Sequence, residues 1–236
     1  MKIQRLLSLV RQAVEQYHMI EDGDRIAVGI SGGKDCLTLL YAMHELQKFY
    51  PKHFELCAVS VDLGFNMDYT GVQTWCSQLG IHYEIIRTQI YDIVFHERKE
   101  SNPCSLCAKM RKGALNQYLL DIGYHKVVYA HHMDDVIETL IMSLVFEGRI
   151  NTFAPVTLLE KTGITVIRPM IYVNEAQVRV FARNMQLPVV KNLCPADGYT
   201  KREYVKEMIA KIESDHPGAK QRIFTAIEKG TLPGWS

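Results

Sequence analysis

The sequence contains no long apolar run. None of its hydrophobic stretches approaches the roughly 20 residues that a helix needs to cross a bilayer, so we expect no transmembrane segment. Residues 1–17 interleave charged with apolar side chains and lack the apolar core and the cleavage site of a signal peptide. The sequence therefore predicts a cytoplasmic protein without membrane association.

The chain also lacks a charge bias. Its 27 lysines and arginines nearly balance 26 acidic residues, which leaves a net charge of +1. This excludes a strongly basic nucleic-acid clamp, although a local basic face can still bind RNA. No internal repeat, low-complexity tract or linker rich in proline or serine divides the 236 residues. We therefore expect one domain over 1–236, with an N-terminal helix over about 1–20 and a helical C-terminal tail over about 199–236.

Cysteine is sparse as well, with six residues in the chain. In a reducing cytoplasm these residues are not expected to form a disulfide framework, so clustered cysteines are interpreted as metal ligands or catalytic groups. Cys57 and Cys76 are interpreted as core residues.

Short apolar runs alternate with segments of helical periodicity, beginning with an amphipathic helix that ends near Gly23. Such alternation predicts an α/β fold with a doubly wound parallel sheet. Asn174 is the expected N-cap of one helix. The expected strands are 25–30, 54–61, 82–88, 126–130 and 164–171. The expected helices are 36–50, 70–79, 106–120, 134–146, 175–185, 201–212 and 221–227.

Residues 31–36, with the sequence Ser-Gly-Gly-Lys-Asp-Cys, come where the first strand turns into a helix. Paired glycines let the backbone approach a phosphate, and amide N–H groups and the helix N-terminus then face the anion. The spacing matches neither the Walker A motif nor the dinucleotide fingerprint, which disfavours both of those protein classes. A plain glycine turn explains the glycines but not the serine, lysine and aspartate. The segment therefore indicates phosphate binding.

Cys104 and Cys107 stand three positions apart near the start of a predicted helix, directly after Pro103. Both sulfurs can therefore reach one metal ion. Cys194, within the 192–195 sequence Asn-Leu-Cys-Pro, is the candidate third ligand. From the residues alone, three alternatives stay open: zinc with a fourth cysteine or histidine, a redox pair, and a structural role.

Residues 131–139 also follow a predicted strand and begin a helix. Ligands of doubly wound sheets bind beyond the carboxyl ends of the strands, so this segment and the 31–36 segment are expected to meet in one crevice. Asp35 and either Asp134 or Asp135 are candidate Mg²⁺ ligands there. Taken singly, Asp134 and Glu138 are each better explained as carboxylates at a helix N-terminus.

Together these motifs resemble those of the PP-loop ATP pyrophosphatases, whose signature is S-G-G-x-D-S after the first strand, with Cys36 at the position of the usual serine. Residues 148–149 and 167–170 fit the same pattern. The resemblance implies the PP-loop fold, similar to the adenine nucleotide alpha hydrolases, and cleavage of ATP between the α and β phosphates. The nucleotide contacts that it implies are Ala27, Gly29, Ser31, Gly32, Gly33, Lys34, Asp35, Cys36, Asp62, His131 and Asp134.

Residues 104–113, together with Cys194, resemble the tRNA 2-thiocytidine synthetase branch of this family. The resemblance implies a [4Fe-4S] cluster held by Cys104, Cys107 and Cys194, with the fourth iron open to bind sulfide. The 2-thiouridine branch carries further cysteine pairs at its termini, and this chain has none. Arg111 lies one helical turn after Cys107 and is expected to place a cation beside cluster and substrate.

We therefore expect an ATP-dependent sulfurtransferase that adenylates and thiolates a tRNA base, with cytidine to 2-thiocytidine as the expected conversion. Asp35, Arg111 and Asp135 are the expected catalytic residues. The expected cofactors are ATP, Mg²⁺ and the cluster, and the expected partners are tRNA, a sulfur donor such as a cysteine desulfurase or free sulfide, and a second copy in a homodimer. Two alternatives remain: the same machinery acting on a non-RNA substrate, and a nucleotide- and metal-binding sensor without turnover.

This mechanism carries a geometric expectation. The cysteine sulfurs and the 31–36 loop should lie around one cavity, because reacting atoms must approach to about 3–3.5 Å. With a nucleobase and the triphosphate between them, the sulfurs and the loop amides should lie on the order of 10 Å apart. Arg111 and Asp135 should line that cavity. Cysteines on the far side of the sheet from the loop would exclude the mechanism. The candidate RNA contacts are Lys109, Lys112, Arg149, Lys201 and Arg202.

Overall fold

The computed structural model describes residues 1–65, 67–98, 103–191, 193–194 and 201–235. The helices are α1 (Ile3–Gln16), α2 (Lys34–Gln47), α3 (Thr70–Gln78), α4 (Pro103–Asp121), α5 (Met133–Glu147), α6 (Glu175–Asn184), α7 (Lys201–Asp215) and α8 (Ala219–Glu228), with a π-helix over Asp92–Arg98. The strands are β1 (Asp24–Ile30), β2 (Phe54–Asp62), β3 (His82–Arg87), β4 (Lys126–Val128), β5 (Val156–Leu159) and β6 (Ile164–Ile167).

All six strands form one sheet in the order β3-β2-β1-β4-β6-β5. Five of them are parallel, and β5 pairs antiparallel with β6. The predicted α/β fold with helices on a mostly parallel sheet is confirmed. The antiparallel edge strand β5 was not predicted, because it is only four residues long and too short to show a periodicity of its own.

The strands bury apolar side chains on both faces of the sheet. On one face Ile26 and Val28 of β1 pack with residues of α1, α2, α5, α6, α7 and α8. On the other face Ala27 packs with the π-helix and with Leu115 and Leu119 of α4. Helix α2 follows the glycine loop, and helix α4 carries Cys104 and Cys107. These two helices therefore cover opposite faces of the sheet.

Local signals explain several element boundaries. The side chain of Asn174 accepts a hydrogen bond from the Gln177 N–H at 2.8 Å, which confirms the predicted N-cap of α6. β6 ends at Ile167, earlier than predicted, because Pro169 has no N–H for the ladder. The π-helix was not predicted.

Cys57 and Cys76 are buried in the core, as predicted.

No helix within the described ranges combines the length and the apolar character that crossing a membrane requires. The prediction of a single domain over 1–236 stays a prediction.

Candidate active site

The sheet opens at one point along its carboxyl edge. β1 pairs with β2 on one side and β4 on the other, and the β1–β4 pairing ends at Val28 and Val128. The strand order reverses direction here, since β2 and β3 lie on one side of β1 and β4, β6 and β5 on the other. Such a switch point is where doubly wound sheets bind ligands. The segments after β1 and β4, which are the two predicted nucleotide motifs, both begin at this edge.

The 31–36 loop needs its two glycines for different reasons. Gly32 has a φ of +84°, which favours glycine, and a Cβ built on it would lie 2.8 Å from the Cβ of Val190. Its carbonyl also accepts a hydrogen bond from the Val190 N–H at 2.9 Å. Among the described residues, a Cβ on Gly33 would meet only Ser31 Oγ, at 3.5 Å. Gly32 is therefore required by the fold, whereas Gly33 leaves the backbone open to a ligand.

A Gly32→Ala variant should unfold at lower denaturant concentration than the wild type, with a loss of roughly 2–4 kcal/mol from left-handed strain and the Val190 clash. Denaturation followed by circular dichroism measures the loss. Gly80→Ala is the matched control, because Gly80 has a φ of +69° but no described atom within 4 Å of a built Cβ. Equal losses in the two variants would show that the contact with Val190 is not tight.

Cys36 faces back into the loop. Its thiol donates to the Gly33 carbonyl at 3.1 Å and lies 3.5 Å from Ser31 Oγ. Burial raises the pKa of this thiol, so the side chain is neutral at physiological pH. Cys36 therefore helps to shape the loop from inside, and its contact with ATP stays a prediction.

Lys34 presents a cation at the start of α2. Its Nζ lies 3.1 Å from Asp35 Oδ2 and 3.2 Å from Glu175 Oε1. Burial lowers the pKa of Lys34, but the attraction of both carboxylates outweighs this effect and the net shift is upward. Burial raises the pKa of Glu175, but the hydrogen bond from Lys34 and the charges of Lys206 and Lys34 outweigh this effect and lower the pKa to about 2. The ammonium group stays charged beside the loop, as phosphate binding requires.

α5 begins with a reciprocal capping box that reaches toward the loop. His132 Nδ1 accepts from the Asp135 N–H at 3.3 Å, and Asp135 Oδ2 accepts from the His132 N–H at 2.9 Å. On the other side of the ring, His132 Nε2 lies 3.9 Å from Asp35 Oδ1. The two predicted motifs thus meet.

Asp35 Oδ1 is buried and has no hydrogen-bond partner among the described residues. A free carboxylate oxygen at a phosphate loop is the kind of ligand that Mg²⁺ uses, since this ion binds one or two carboxylates together with substrate phosphates. Asp35 therefore fits the magnesium role that the sequence predicts for it.

The other two candidate carboxylates are engaged by protein groups. Asp134 accepts hydrogen bonds from the first backbone N–H of α6 and from Lys220 Nζ, both at 2.7 Å, so it joins α5 to α6 and α8. Asp135 Oδ1 accepts from Arg202 at 3.3 Å. The nucleotide contact of Asp134 and the magnesium contact of Asp135 stay predictions, and the structure gives both residues a positioning role.

Arg202 is not a free RNA contact in this structure. It donates to Glu138 at 3.0 Å as well as to Asp135. Burial, followed by the charge of Asp135, raises the pKa of Glu138. Lys201 lies 5.0 Å from the centre of the Phe146 ring. The three remaining basic candidates are exposed: Lys109, Lys112 and Arg149.

The strand residues predicted to border the adenine differ in accessibility. Ala27 is fully buried and paired on both sides, with β2 and β4, so no part of it is open to a nucleotide. A Cβ on Gly29 would lie 3.3 Å from the ring of Tyr129, at the opening between the strands. Asp62 accepts from the Gly64 N–H at 3.0 Å and forms a turn. Gly29 and Asp62 therefore remain candidate nucleotide contacts, whereas Ala27 is not accessible to a nucleotide.

His131 is an uncharged ring at the same edge. Burial and then the nearby Arg168 lower its pKa to about 3. Its Nδ1 accepts from Arg168 Nε at 3.2 Å, and its ring centre lies 4.5 Å from that of Phe153. A neutral imidazole cannot attract phosphate as a cation, so the nucleotide contact predicted for His131 would have to be a stacking or hydrogen-bonding one.

The first two cysteines lie toward the edge of the sheet where the loop is. The end of α4 approaches the start of β1, where Arg25 donates to the Ile122 carbonyl at 3.1 Å. The beginning of α4 therefore points to the carboxyl edge, with Cys104 exposed and Cys107 half-buried. Arg111 Nη2 lies 4.0 Å from Cys107 Sγ. Cys104 and Cys107 therefore lie on the face of the sheet opposite to α2, at the carboxyl edge where the 31–36 loop also lies.

Cys194 lies near the loop through the chain itself. It follows Val190, which contacts Gly32, by four residues, and four residues span at most about 14 Å. Its neighbours 192 and 195–200 lie outside the described residues. Cysteine thiols are the donors that iron–sulfur clusters use. Within the described ranges, however, no group of three cysteine, histidine or acidic side chains is placed to hold a metal. Their convergence, and the 10 Å separation, stay predictions.

Sequence reasoning missed several groups that organise the site: His132, Glu175, Lys220 and, as a buried residue, Arg168. Only Glu175 had a local signal, since an acidic residue in the first turn complements a helix N-terminus. The others depend on contacts between helices that are distant in sequence.

The fold and its two converging motifs define a PP-loop ATP-binding protein, and the PP-loop domain family matches residues 4–212. The chain is 35% identical over 228 residues to the tRNA-cytidine(32) 2-sulfurtransferase of Citrifermentans bemidjiense, covering 94% of this chain and 89% of that one. It is 37% identical over 232 residues to the enzyme of the same name from Dichelobacter nodosus, covering 97% and 86%. The chain therefore belongs to the PP-loop family, in the branch that contains the tRNA-cytidine(32) 2-sulfurtransferases.

Solved structures agree with this assignment. The U34-tRNA thiolase NcsA from Methanococcus maripaludis, solved with its [4Fe-4S] cluster, superposes with a TM-score of 0.80 at 25% identity, over 98% of this chain and 81% of that one. An NMN synthetase from Francisella tularensis has a TM-score of 0.55 at 14% identity, over 95% and 90%. The second likeness shows the fold alone.

Proposed function

We propose that this protein is a cytoplasmic, ATP-dependent sulfurtransferase that converts a cytidine of tRNA to 2-thiocytidine. The observation that carries the proposal is the approach of His132 to Asp35 at the switch point, which joins the phosphate loop to the second nucleotide motif. It occurs in a chain that resembles a tRNA-cytidine(32) 2-sulfurtransferase over 94% of its length.

ATP solves the chemical problem of the reaction. The C2 carbonyl oxygen of cytosine is a poor leaving group. Attack of this oxygen on the α-phosphorus breaks the α–β bond, releases pyrophosphate and leaves an adenylated base. Sulfide then bonds to C2, the C2–O bond breaks, and AMP departs with its electron pair. Both steps depend on positioning and charge stabilisation rather than on covalent chemistry with a side chain.

The residues of the loop carry out the first step. The open backbone at Gly33 and the N-terminus of α2 bind the phosphates, and Lys34 neutralises charge on the departing pyrophosphate. Asp35 would hold Mg²⁺ through its free oxygen. Asp135 acts as a positioning residue, because its capping box directs His132 Nε2 toward Asp35.

The cysteines serve the second step. Cys104, Cys107 and Cys194 would hold an iron–sulfur cluster, which when bound supplies an iron site open to sulfide. The exposed Cys104, the half-buried Cys107 beside Arg111 and the cluster named in the NcsA structure support this role. Arg111, next to Cys107, keeps a positive charge where the anionic AMP departs.

The partners follow from the same arrangement. Lys109 and Lys112, exposed on α4 beside the cysteines, would contact tRNA phosphates. A cysteine desulfurase or free sulfide would deliver sulfur to the cysteine site, where Cys104 is exposed. The homodimer is supported by exposed apolar side chains near the end of α5, with Leu144 41% and Val145 53% exposed.

The proposal is tested by mass spectrometry of tRNA nucleosides from a strain that lacks the gene. We expect 2-thiocytidine to be absent and to return when the wild-type gene, but not a Cys107→Ala gene, is supplied. The control is a Cys76→Ala gene, which removes a thiol that is fully buried in the core and should restore the nucleoside.

Unchanged 2-thiocytidine together with loss of a different thionucleoside would contradict the choice of base but keep the reaction. Unchanged levels of every thionucleoside would favour a non-RNA substrate or a protein that binds nucleotide and metal without turnover. Release of AMP and pyrophosphate under anaerobic conditions separates those two outcomes.

A further inference from the structure

Arg168 is a buried arginine at the carboxyl edge of the sheet. It follows β6 directly and is only 8% exposed. Its guanidinium lies 5.0 Å from the centre of the Phe153 ring. It donates to three neutral acceptors: His131 Nδ1 at 3.2 Å, the Ala154 carbonyl at 2.5 Å and Thr157 Oγ1 at 2.9 Å. Neutral groups therefore hold the side chain in one orientation.

Within the part of the chain that the structure describes, no carboxylate lies within ion-pair distance of Arg168, and its Nη2 donates no hydrogen bond. Burial lowers the pKa of Arg168 to about 10, so the group is still a cation at neutral pH. Buried charges in proteins are normally paired, because an isolated one is costly to desolvate. The counter-charge of Arg168 is therefore missing from the described protein.

Arg168 lies close to the opening of the sheet. Burial raises the pKa of Tyr129, while the charges of Arg168 and Arg111 lower it, so both cations act on this one ring. The same ring borders Gly29 at the point where β1 and β4 separate. The charges of two arginines therefore reach one tyrosine at the crevice: Arg111, which lies beside Cys107, and Arg168, which follows β6.

We propose that Arg168 is a substrate-binding residue whose missing counter-charge is a phosphate group at this edge. A phosphate offers paired oxygens that match the guanidinium, and a partly desolvated site strengthens the interaction. The phosphate comes from ATP or from the tRNA backbone. This inference rests on the proposed function, since that function brings both ligands to this edge.

The test compares Arg168→Met with Arg25→Met in equilibrium binding of ATP and of a tRNA transcript. Arg25 is a matched control: it also lies over an aromatic ring, Tyr124 at 4.3 Å, and also donates to a backbone carbonyl. It lies at the opposite end of the sheet and is paired with Glu55 at 2.9 Å. We expect Arg168→Met to weaken one ligand on the order of 10- to 100-fold, as loss of a hydrogen bond to a charged group does, and Arg25→Met to leave both unchanged.

The two ligands identify the source of the phosphate. Weaker ATP binding assigns Arg168 to the nucleotide. Weaker tRNA binding, with a slope of affinity against salt that is smaller by about 0.7–0.9, assigns it to one phosphate of the RNA. Should Arg168→Met not fold, Arg168→Lys keeps the cation without the planar fork and should show a smaller loss in the same assay.

Two results would overturn the inference. Wild-type affinity of Arg168→Met for both ligands, together with a lower unfolding temperature, would make Arg168 a structural clamp of the β5–β6 hairpin and leave the proposed function intact. Failure of the wild-type protein itself to bind ATP and tRNA would overturn the proposed function and the inference together.

Discussion

Wild-type protein reconstituted anaerobically is expected to hold about four irons per chain, the content of one [4Fe-4S] cluster. Cys104→Ala, Cys107→Ala and Cys194→Ala should each hold close to none, because a cluster with three protein ligands does not keep its irons when one ligand is lost. Thiolation of tRNA should fall below detection in all three variants. Iron analysis and the absorption band of the cluster measure the first effect, and nucleoside mass spectrometry measures the second.

Cys57→Ala and Cys76→Ala are the controls. Both thiols are buried and burial raises the pKa of each to about 11, so they remain protonated and do not act as thiolate ligands. These variants should keep their iron and lose only about 1 kcal/mol or somewhat more of stability from the cavities they create. Stoichiometric zinc without iron uptake in the wild type would instead support the structural-metal alternative.

Gly33→Val is expected to weaken ATP binding on the order of 100-fold, about 2.7 kcal/mol. The backbone N–H groups of the loop can hydrogen-bond phosphate only if the anion comes close, and the added methyl groups occupy that approach. Isothermal titration calorimetry with ATP and Mg²⁺ measures the change. Gly33→Ala should give a smaller loss, since it adds one carbon where valine adds three.

The fold should survive both changes at this position. Gly33 has an extended backbone (φ −76°, ψ 163°), which valine adopts readily, and a Cβ there makes an ordinary contact with Ser31. Loss of a favourable N-cap residue should cost no more than about 1 kcal/mol. Wild-type ATP affinity in a folded Gly33→Val protein would remove the argument that this loop binds phosphate. The contrast with Gly32→Ala separates binding from folding at adjacent positions.

Most of the architecture was open to prediction because it rests on short-range patterns. The apolar run of β1 and the glycines after it mark a strand that turns into a helix, and Asn174 marks the start of α6 through hydrogen bonds within a few residues. β5 and the π-helix escaped because neither has a periodicity of its own. β5 is held in place by pairing with β6, a partner that a local pattern cannot reveal.

The sequence by itself determined which chemical groups this protein has: a glycine loop after β1, a second motif after β4, and two cysteines three positions apart near the start of α4. Local order and side-chain chemistry are enough for that. Only the tertiary structure decided what those groups contact. It tied Asp134 to Lys220 and Arg202 to Glu138. Among the residues that the structure describes, it also left an oxygen of Asp35 without a hydrogen-bond partner and buried Arg168 without a carboxylate. The physical reason is that burial and pairing depend on elements far apart in the chain, so the charge balance of the site exists only once the helices have packed.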